Sequence, residues 1–146
     1  MDLILWRHAD AEAGSPDSAR KLTERGLEQA RGVAAWLKPR LPGNCEVLVS
    51  PAARAQQTAR ALGVAFTTMP AVGTDAAAPD VIAAVDRLAR SEAILIVGHQ
   101  PTLGRVAAML LSGTEADWDI GKGALWWFRR SGGSTRLFAV IDPELA

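Results

Sequence analysis

Apolar residues along this chain fall into two alternating patterns. Short continuous runs mark buried strands, and recurrences every three or four residues mark one face of a helix. The first run, Leu3-Ile4-Leu5-Trp6, is too short for a helix and reads as a buried strand. Residues 9–21 are polar, contain Gly14, Ser15 and Pro16, and read as a loop. Thr23 stands as an N-cap with Glu24 in the first turn. Leu27, Ala30, Ala34 and Leu37 follow at helical spacing, and Pro39 ends that helix. Val47-Leu48-Val49 is a second strand. Ser50-Pro51 predicts a helix start, with Ser as N-cap and Pro at the first helical position. Ala55, Ala59 and Leu62 line one face of it, and Gly63 stops it. Val64-Ala65-Phe66-Thr67 reads as a short strand, and Pro79 opens a third helix with Ile82, Val85 and Leu88-Ala89 on one face. Residues 93–97 form the clearest buried strand, closed by the tight loop Gly98-His99-Gln100. A fourth helix starts at Pro101 or Thr102, turns Leu103, Val106, Ala107 and Leu110 inward, and stops at Ser112-Gly113. Apolar runs at 124–128 and 136–141 flank Ser131-Gly132-Gly133-Ser134 and predict a C-terminal β-hairpin.

Strands alternating with helices predict an α/β fold. The expected form is a three-layer α/β/α sandwich with a mostly parallel central sheet and a C-terminal antiparallel hairpin. A length of 146 residues suits one domain, 1–146, with a sizeable core. No repeat, low-complexity tract or linker interrupts it; the soft stretch 67–79 reads as a loop. In such folds ligands bind beyond the carboxyl ends of the strands. The residues just after each strand are therefore the ones to inspect.

Composition narrows the classes. A 49% hydrophobic chain is not a disordered one. The lone Cys45 excludes an intrachain disulfide, and with two histidines it excludes a zinc finger. No apolar run approaches the roughly 18 residues of a membrane span. The N-terminus lacks the basic stretch and long apolar run of a signal peptide, so a cytoplasmic protein away from membranes is expected. Sixteen basic and 16 acidic residues cancel, which argues against a nucleic-acid binder. Thirteen of the basic residues are arginine, whose planar fork matches phosphate.

Position gives these residues a chemistry. Arg7-His8 follows the first strand, and Arg54 lies in the first turn of the helix after the second. Gly98-His99 follows the strand at 93–97, so both histidines of the chain stand at strand ends. A neutral imidazole is a good nucleophile near neutral pH. Arg7 and Arg54, with the amides of a helix N-terminus, suit an anionic electrophile. His99 can donate a hydrogen bond to a phosphoryl oxygen as charge shifts. Such a phosphoryl-transfer site needs no metal or cofactor. The chain has no phosphate-binding P-loop and no carboxylate cluster at strand ends. Cys45 precedes its strand, so a thiol phosphatase is unsupported, and Asp10 and Glu12 read as solvated loop residues.

Four segments in order carry a family resemblance. Leu5-Trp6-Arg7-His8-Ala9 resembles the Arg-His-Gly opening of the histidine phosphatase superfamily, the phosphoglycerate-mutase-like fold. Ser50-Pro51-Ala52-Ala53-Arg54 with Thr58 resembles its Ser-Pro-x-x-Arg-x-x-x-Thr segment, and Val97-Gly98-His99 the position of its second histidine. Arg20-Lys21-Leu22-Thr23-Glu24-Arg25-Gly26, with Gly98-His99-Gln100-Pro101, is similar to the short SixA-type phosphohistidine phosphatases. The resemblance implies that His8 becomes a covalent phosphohistidine. It also implies that Arg7, Arg54 and His99 form the phosphate pocket, with Arg20 reaching in from the loop.

The implied activity is a metal-independent phosphatase, acting on phosphohistidine in a signalling protein. The alternatives are a small-molecule phosphomonoesterase of the same fold and a non-catalytic phosphate-binding module. A monomer is expected. The sequence departs from the family pattern twice. Ala9 stands where the family has Gly, and the region at 69–75 holds no Glu to act as proton donor, leaving Asp75, Asp80 or no dedicated acid. An imidazole leaving group needs less protonation help than an alkoxide, which favours the phosphohistidine substrate. Trp6 and Trp36 read as core. Trp118, Trp126 and Trp127 cluster near the hairpin, where alternation buries Trp126 or Trp127, but not both, against one face.

Overall fold

The computed structural model describes residues 1–88 and 90–146. Among the described residues, six strands form one sheet: β1 (Asp2–Arg7), β2 (Cys45–Val49), β3 (Thr67–Thr68), β4 (Ala93–Gly98), β5 (Leu125–Ser131) and β6 (Ser134–Ile141). Their order across the sheet is β3-β2-β4-β1-β5-β6. The first four are parallel, and the β5–β6 hairpin runs antiparallel against β1. Four α-helices among the described residues cover the sheet: α1 (Glu24–Leu37), α2 (Ala53–Arg60), α3 (Ala78–Arg87) and α4 (Thr102–Ser112). The predicted three-layer architecture is the one observed.

Strand alternation builds two cores. Leu3 and Leu5 of β1, Ile94 and Ile96 of β4 and Phe128 of β5 face one side, against Val81 and Val85 of α3 and Leu103 and Val106 of α4. Ile4, Trp6, Leu95, Val97 and Trp127 face the other, against Val33 and Leu37 of α1 and Ala55 and Ala59 of α2. Helices lie on both faces, so every residue of β4 is buried and its sequence is continuously apolar. The two hairpin tryptophans divide accordingly. Trp127 is buried in the second core, while Trp126 packs partly buried on the first, close to Trp118. Trp6 is fully buried, but Trp36 is only partly so.

Several expectations about local structure need correction. Ser50 does not cap α2, and Pro51 is not its first residue. The helix starts at Ala53, with Ala52 as N-cap and no side-chain cap. The Ser50 hydroxyl instead accepts the Ala52 N–H at 3.2 Å, closing a turn ahead of the helix. The strand expected at 64–67 shrinks to Thr67–Thr68, which pairs with Leu48 and Val49 at the sheet edge. On α3 the fully buried positions are Ala78, Val81, Ala84 and Val85, with Ile82 and Leu88 partly buried. The buried face is thus shifted by one position toward Val81 and Ala84. Ala89, assigned to the same face, lies outside the described residues. Thr23 caps α1 as expected, accepting the Gly26 N–H at 3.0 Å.

Candidate active site

Parallel pairing brings the ends of β1, β4 and β2 together. Arg7 pairs with Gly98, and Val49 with Val97. The ladder runs one residue further on each side. The His8 N–H donates to the Gly98 carbonyl at 3.0 Å, and the Ser50 N–H to the Val97 carbonyl at 3.1 Å. His8, His99 and Ser50 therefore emerge side by side, and the two imidazole centroids lie 5.1 Å apart. Both rings are buried.

Arg54 reaches the same point from the first turn of α2 and is itself buried, at 5% exposure. Its Nε–H donates to His8 Nε2 at 3.3 Å. The far end of its guanidinium is held by Asp17: Nη1 donates to the Asp17 carbonyl at 2.8 Å, and Nη2 to Oδ2 at 3.1 Å. Asp17 lies on a single 3-10 turn, Asp17–Ala19, within the loop after β1. Its other carboxylate oxygen accepts from Arg20 Nη1 at 3.1 Å, while Arg20 Nε donates to the Glu12 carbonyl at 2.7 Å. Arg7 Nη1 donates to the Ile120 carbonyl at 2.9 Å, and Arg7 Nε is buried with no partner. His99 Nε2 lies 2.7 Å from the Ser50 hydroxyl, and His99 Nδ1 is likewise buried with no partner.

All five residues singled out from the sequence, Arg7, His8, Arg20, Arg54 and His99, line one cleft of about 330 Å³. Asp17 and Lys122 line it too, and sequence reasoning passed over both. Asp17 carried one readable signal, an acid three residues before Arg20 on the same loop. Lys122 carried none, since it comes from the segment before β5, 112 residues from the Asp10 carboxylate it contacts at 3.1 Å. Asp10 is thus no free loop residue; it also accepts from the Thr23 hydroxyl at 2.8 Å. Neither acid candidate lines the cleft: Asp75 borders an adjoining groove, and Asp80 is exposed in the first turn of α3. Ala9 is fully buried, and no non-glycine residue among those described has a positive φ, so this position does not require glycine. The Ala9 N–H donates to Thr58 Oγ1 at 3.1 Å, which ties the loop to α2. Among the described residues, no group of three or more His, Cys, Asp or Glu side chains could hold a metal ion.

The charges here are set by burial. Desolvation pushes His8 down to about 4, partly opposed by its bond to the Ala9 carbonyl, and the positive charges of Arg54, Arg7 and Arg20 lower it further. Desolvation likewise takes His99 down to about 3, with His8 and Arg54 adding to it. Both rings are neutral at pH 7. Hydrogen bonds from Arg20 and then Arg54 hold the Asp17 carboxyl below the usual range, so it is ionised.

The His8 tautomer is set by its neighbours. Nδ1 lies 2.7 Å from the Ala9 carbonyl, which can only accept, so Nδ1 carries the proton. Nε2 faces a guanidinium N–H, which can only donate, so Nε2 presents its lone pair. The cleft therefore contains a neutral imidazole with an available nitrogen lone pair, surrounded by cationic donors.

Comparison with known proteins agrees with this chemistry. The family model described as histidine phosphatase superfamily (branch 1) matches residues 3–77. The phosphohistidine phosphatase SixA of Escherichia coli (strain K12) is 30% identical over 123 residues, covering 77% of this chain and 76% of the relative. An uncharacterized protein of Mycobacterium tuberculosis is 36% identical over 116 residues, covering 75% and 73%. A solved structure of the protein histidine phosphatase SixA complexed with tungstate superposes with a TM-score of 0.87 at 27% identity, covering 98% of this chain and 97% of that one. With its sheet order, strand-end histidines and buried Arg54, the chain belongs to branch 1 of the histidine phosphatase superfamily.

Proposed function

We propose that the protein is a metal-independent phosphatase in which His8 is the nucleophile and the substrate is phosphohistidine on a signalling protein. The same reading treats residues 1–146 as one catalytic domain. The observation that carries it is a pair of orphaned atoms. Among the described residues, the buried side-chain nitrogens without a partner are Arg7 Nε and His99 Nδ1, and both residues line this cleft. Buried polar atoms are ordinarily satisfied. A phosphoryl group in the cleft offers Arg7 Nε its missing acceptor and places an oxygen by His99, and Arg7, Arg20 and Arg54 supply its countercharge. The related SixA structure is complexed with tungstate, an oxyanion, which accords with this reading.

In the first step the His8 Nε2 lone pair bonds to phosphorus as the phosphorus–leaving-atom bond breaks. The electron pair stays on the leaving atom. A phosphoimidazolium with a proton on its distal nitrogen leaves as neutral imidazole and needs no further acid. In the second step water attacks phosphorus, the phosphorus–Nε2 bond breaks, and both water hydrogens remain on the phosphate released. His8 returns neutral, with Nδ1–H still on the Ala9 carbonyl.

Leaving-group chemistry favours phosphohistidine over an ester. The acid in the cleft, Asp17, is held ionised by two arginines and is a poor proton donor to an alkoxide. The mouth is also open, with the Asp17 side chain 58% exposed, which suits an imidazole borne on a protein. Among the described residues, no helix is long and apolar enough to cross a membrane.

The test is incubation with a phosphohistidine-bearing protein and a panel of phosphate monoesters, with His8→Ala as control. Phosphate release is expected to be fastest from phosphohistidine. Wild type is expected to yield an acid-labile, base-stable phosphoenzyme that the variant does not form. Faster turnover of a sugar monophosphate would replace this reading with a small-molecule phosphomonoesterase. Binding of phosphate without turnover would leave a binding module, and full activity in His8→Ala would remove the mechanism.

A further inference from the structure

The Ser50 hydroxyl sits where it decides what His99 can do. Ser50 is 1% exposed, and its oxygen accepts the Ala52 N–H at 3.2 Å. A serine hydroxyl has one hydrogen to donate. Among the described residues, the acceptor within hydrogen-bond reach of that hydroxyl is His99 Nε2, at 2.7 Å. The opposite arrangement, with Nε2–H donating to the hydroxyl, would leave a buried hydroxyl hydrogen without an acceptor.

We infer that Ser50 is a positioning residue, whose hydroxyl donates to His99 Nε2 and keeps the His99 proton on Nδ1, where it serves a bound phosphoryl oxygen. The inference rests on the phosphatase reading for its purpose, but not for its geometry. A neutral histidine has one N–H. If that proton sat on Nε2, Nδ1 would present a lone pair to an anionic oxygen and repel it. With the proton on Nδ1, the buried unpartnered atom becomes a donor. Ser50 thus does for His99 what the Ala9 carbonyl does for His8: each fixes which ring nitrogen carries the proton. The serine of the Ser-Pro segment is then explained by the second histidine and not by a helix cap.

The chain has two histidines, so histidine-selective nitrogen NMR reads both rings directly. The experiment uses the full chain at neutral pH without substrate, with His99→Gln to assign the signals. Wild type is expected to show the proton on Nδ1 in both rings. In Ser50→Ala, His99 is expected to become a mixture of tautomers while His8 is unchanged, and Ser50→Thr, which keeps the hydroxyl, to restore the Nδ1–H signature. Kinetically, Ser50→Ala is expected to lower kcat/KM about tenfold, the loss of one hydrogen bond to a charged group. A wild-type His99 protonated on Nε2 overturns the inference even if no variant folds. So does an unchanged His99 tautomer in Ser50→Ala. Because the NMR readout needs no turnover, the inference can fail while the phosphatase reading stands, and the reverse.

Discussion

Arg54 Nε lies 3.3 Å from His8 Nε2, and the bond between them runs one way: the guanidinium donates and the imidazole accepts. Arginine stays protonated and has no acceptor, so this contact excludes a proton from Nε2 as firmly as the Ala9 carbonyl demands one on Nδ1. Once Nε2 is bonded to phosphorus, the same guanidinium edge is free to serve a phosphoryl oxygen. In the proposed mechanism Arg54 therefore both prepares the His8 lone pair and receives the phosphoryl charge. Arg54→Ala is expected to lower kcat/KM by about 100-fold or more, on the scale of losing one oxyanion donor. Arg54→Lys is expected to give almost as large a loss, because an ammonium cannot hold Asp17 and address His8 together. Steady-state kinetics on both variants decide it; a Lys variant within threefold of wild type would mean that charge alone suffices.

The neutral histidines leave a signature in stability. In the unfolded chain each imidazole titrates at its ordinary value of 6.5, whereas in the fold His8 sits at about 4 and His99 at about 3. Between those values the unfolded chain binds more protons than the native one. Stability is therefore full above about pH 6.5 and falls as pH drops toward the folded values, by on the order of a few kcal/mol for the pair. Urea unfolding at pH 7, 5.5 and 4 reads this directly. His8→Gln is expected to flatten the slope; an equal slope in that variant would assign the loss to other groups.

Asp17 turns two mobile cations into fixed ones. One carboxylate oxygen holds Arg54 at 3.1 Å and the other holds Arg20 at 3.1 Å. Asp17→Ala leaves the far end of the Arg54 guanidinium only the backbone carbonyl of residue 17. The variant is expected to lose about tenfold in kcat through misplacement of Arg54, with a smaller change in KM because the net positive charge of the cleft rises. A kcat equal to wild type would reduce Asp17 to a surface ion pair.

The layers and both ends of the cleft were legible because they depend on local rules. Leu3-Ile4-Leu5-Trp6 and the run at 93–97 read as buried strands because they are short and continuously apolar, and parallel pairing of those strands sets His8 and His99, just past their carboxyl ends, at one edge. Ser50, Asp17 and Lys122 were not legible for the complementary reason. Each gains its role from a partner on another element: Ser50 from His99, Asp17 from Arg54, Lys122 from Asp10. Ser-Pro is a genuine helix-start signal, but α2 starts at Ala53, so the Ser50 hydroxyl closes a turn with the Ala52 N–H and lies against His99 Nε2. The strand expected at 64–67 was misplaced, with β3 at Thr67–Thr68, because two residues at a sheet edge leave almost no apolar pattern.

Ala9 offers a test of a position where the family pattern has glycine. The methyl is fully buried and its backbone needs no positive φ. Ala9→Gly is expected to destabilise the fold by about 1 kcal/mol, through a lost buried methyl and a more flexible unfolded chain. No gain in kcat beyond about twofold is expected. Thermal unfolding and kinetics together check it, and a marked rise in rate would show that the alanine restrains the site.

Two glycines on one helix separate a structural demand from mere composition. Gly26 lies in the first turn of α1, where an added Cβ would collide with the carbonyl oxygen of Asp10, two residues past His8. That carbonyl also accepts the Thr23 N–H at 3.0 Å, so it cannot retreat without loosening the cap. Gly32, on the same helix, would place its Cβ in ordinary contact with Ala146 at 3.7 Å. Gly26→Ala is therefore expected to destabilise by about 2 kcal/mol, the scale of overpacking, and to reduce activity by shifting the loop that carries Asp17 and Arg20. Gly32→Ala is expected to stabilise by about 0.5–1 kcal/mol, the helix-propensity gain, with kinetics unchanged. Chemical denaturation of both variants checks the pair. Equal effects would mean that the close approach of α1 to the loop after β1 is not what fixes Gly26.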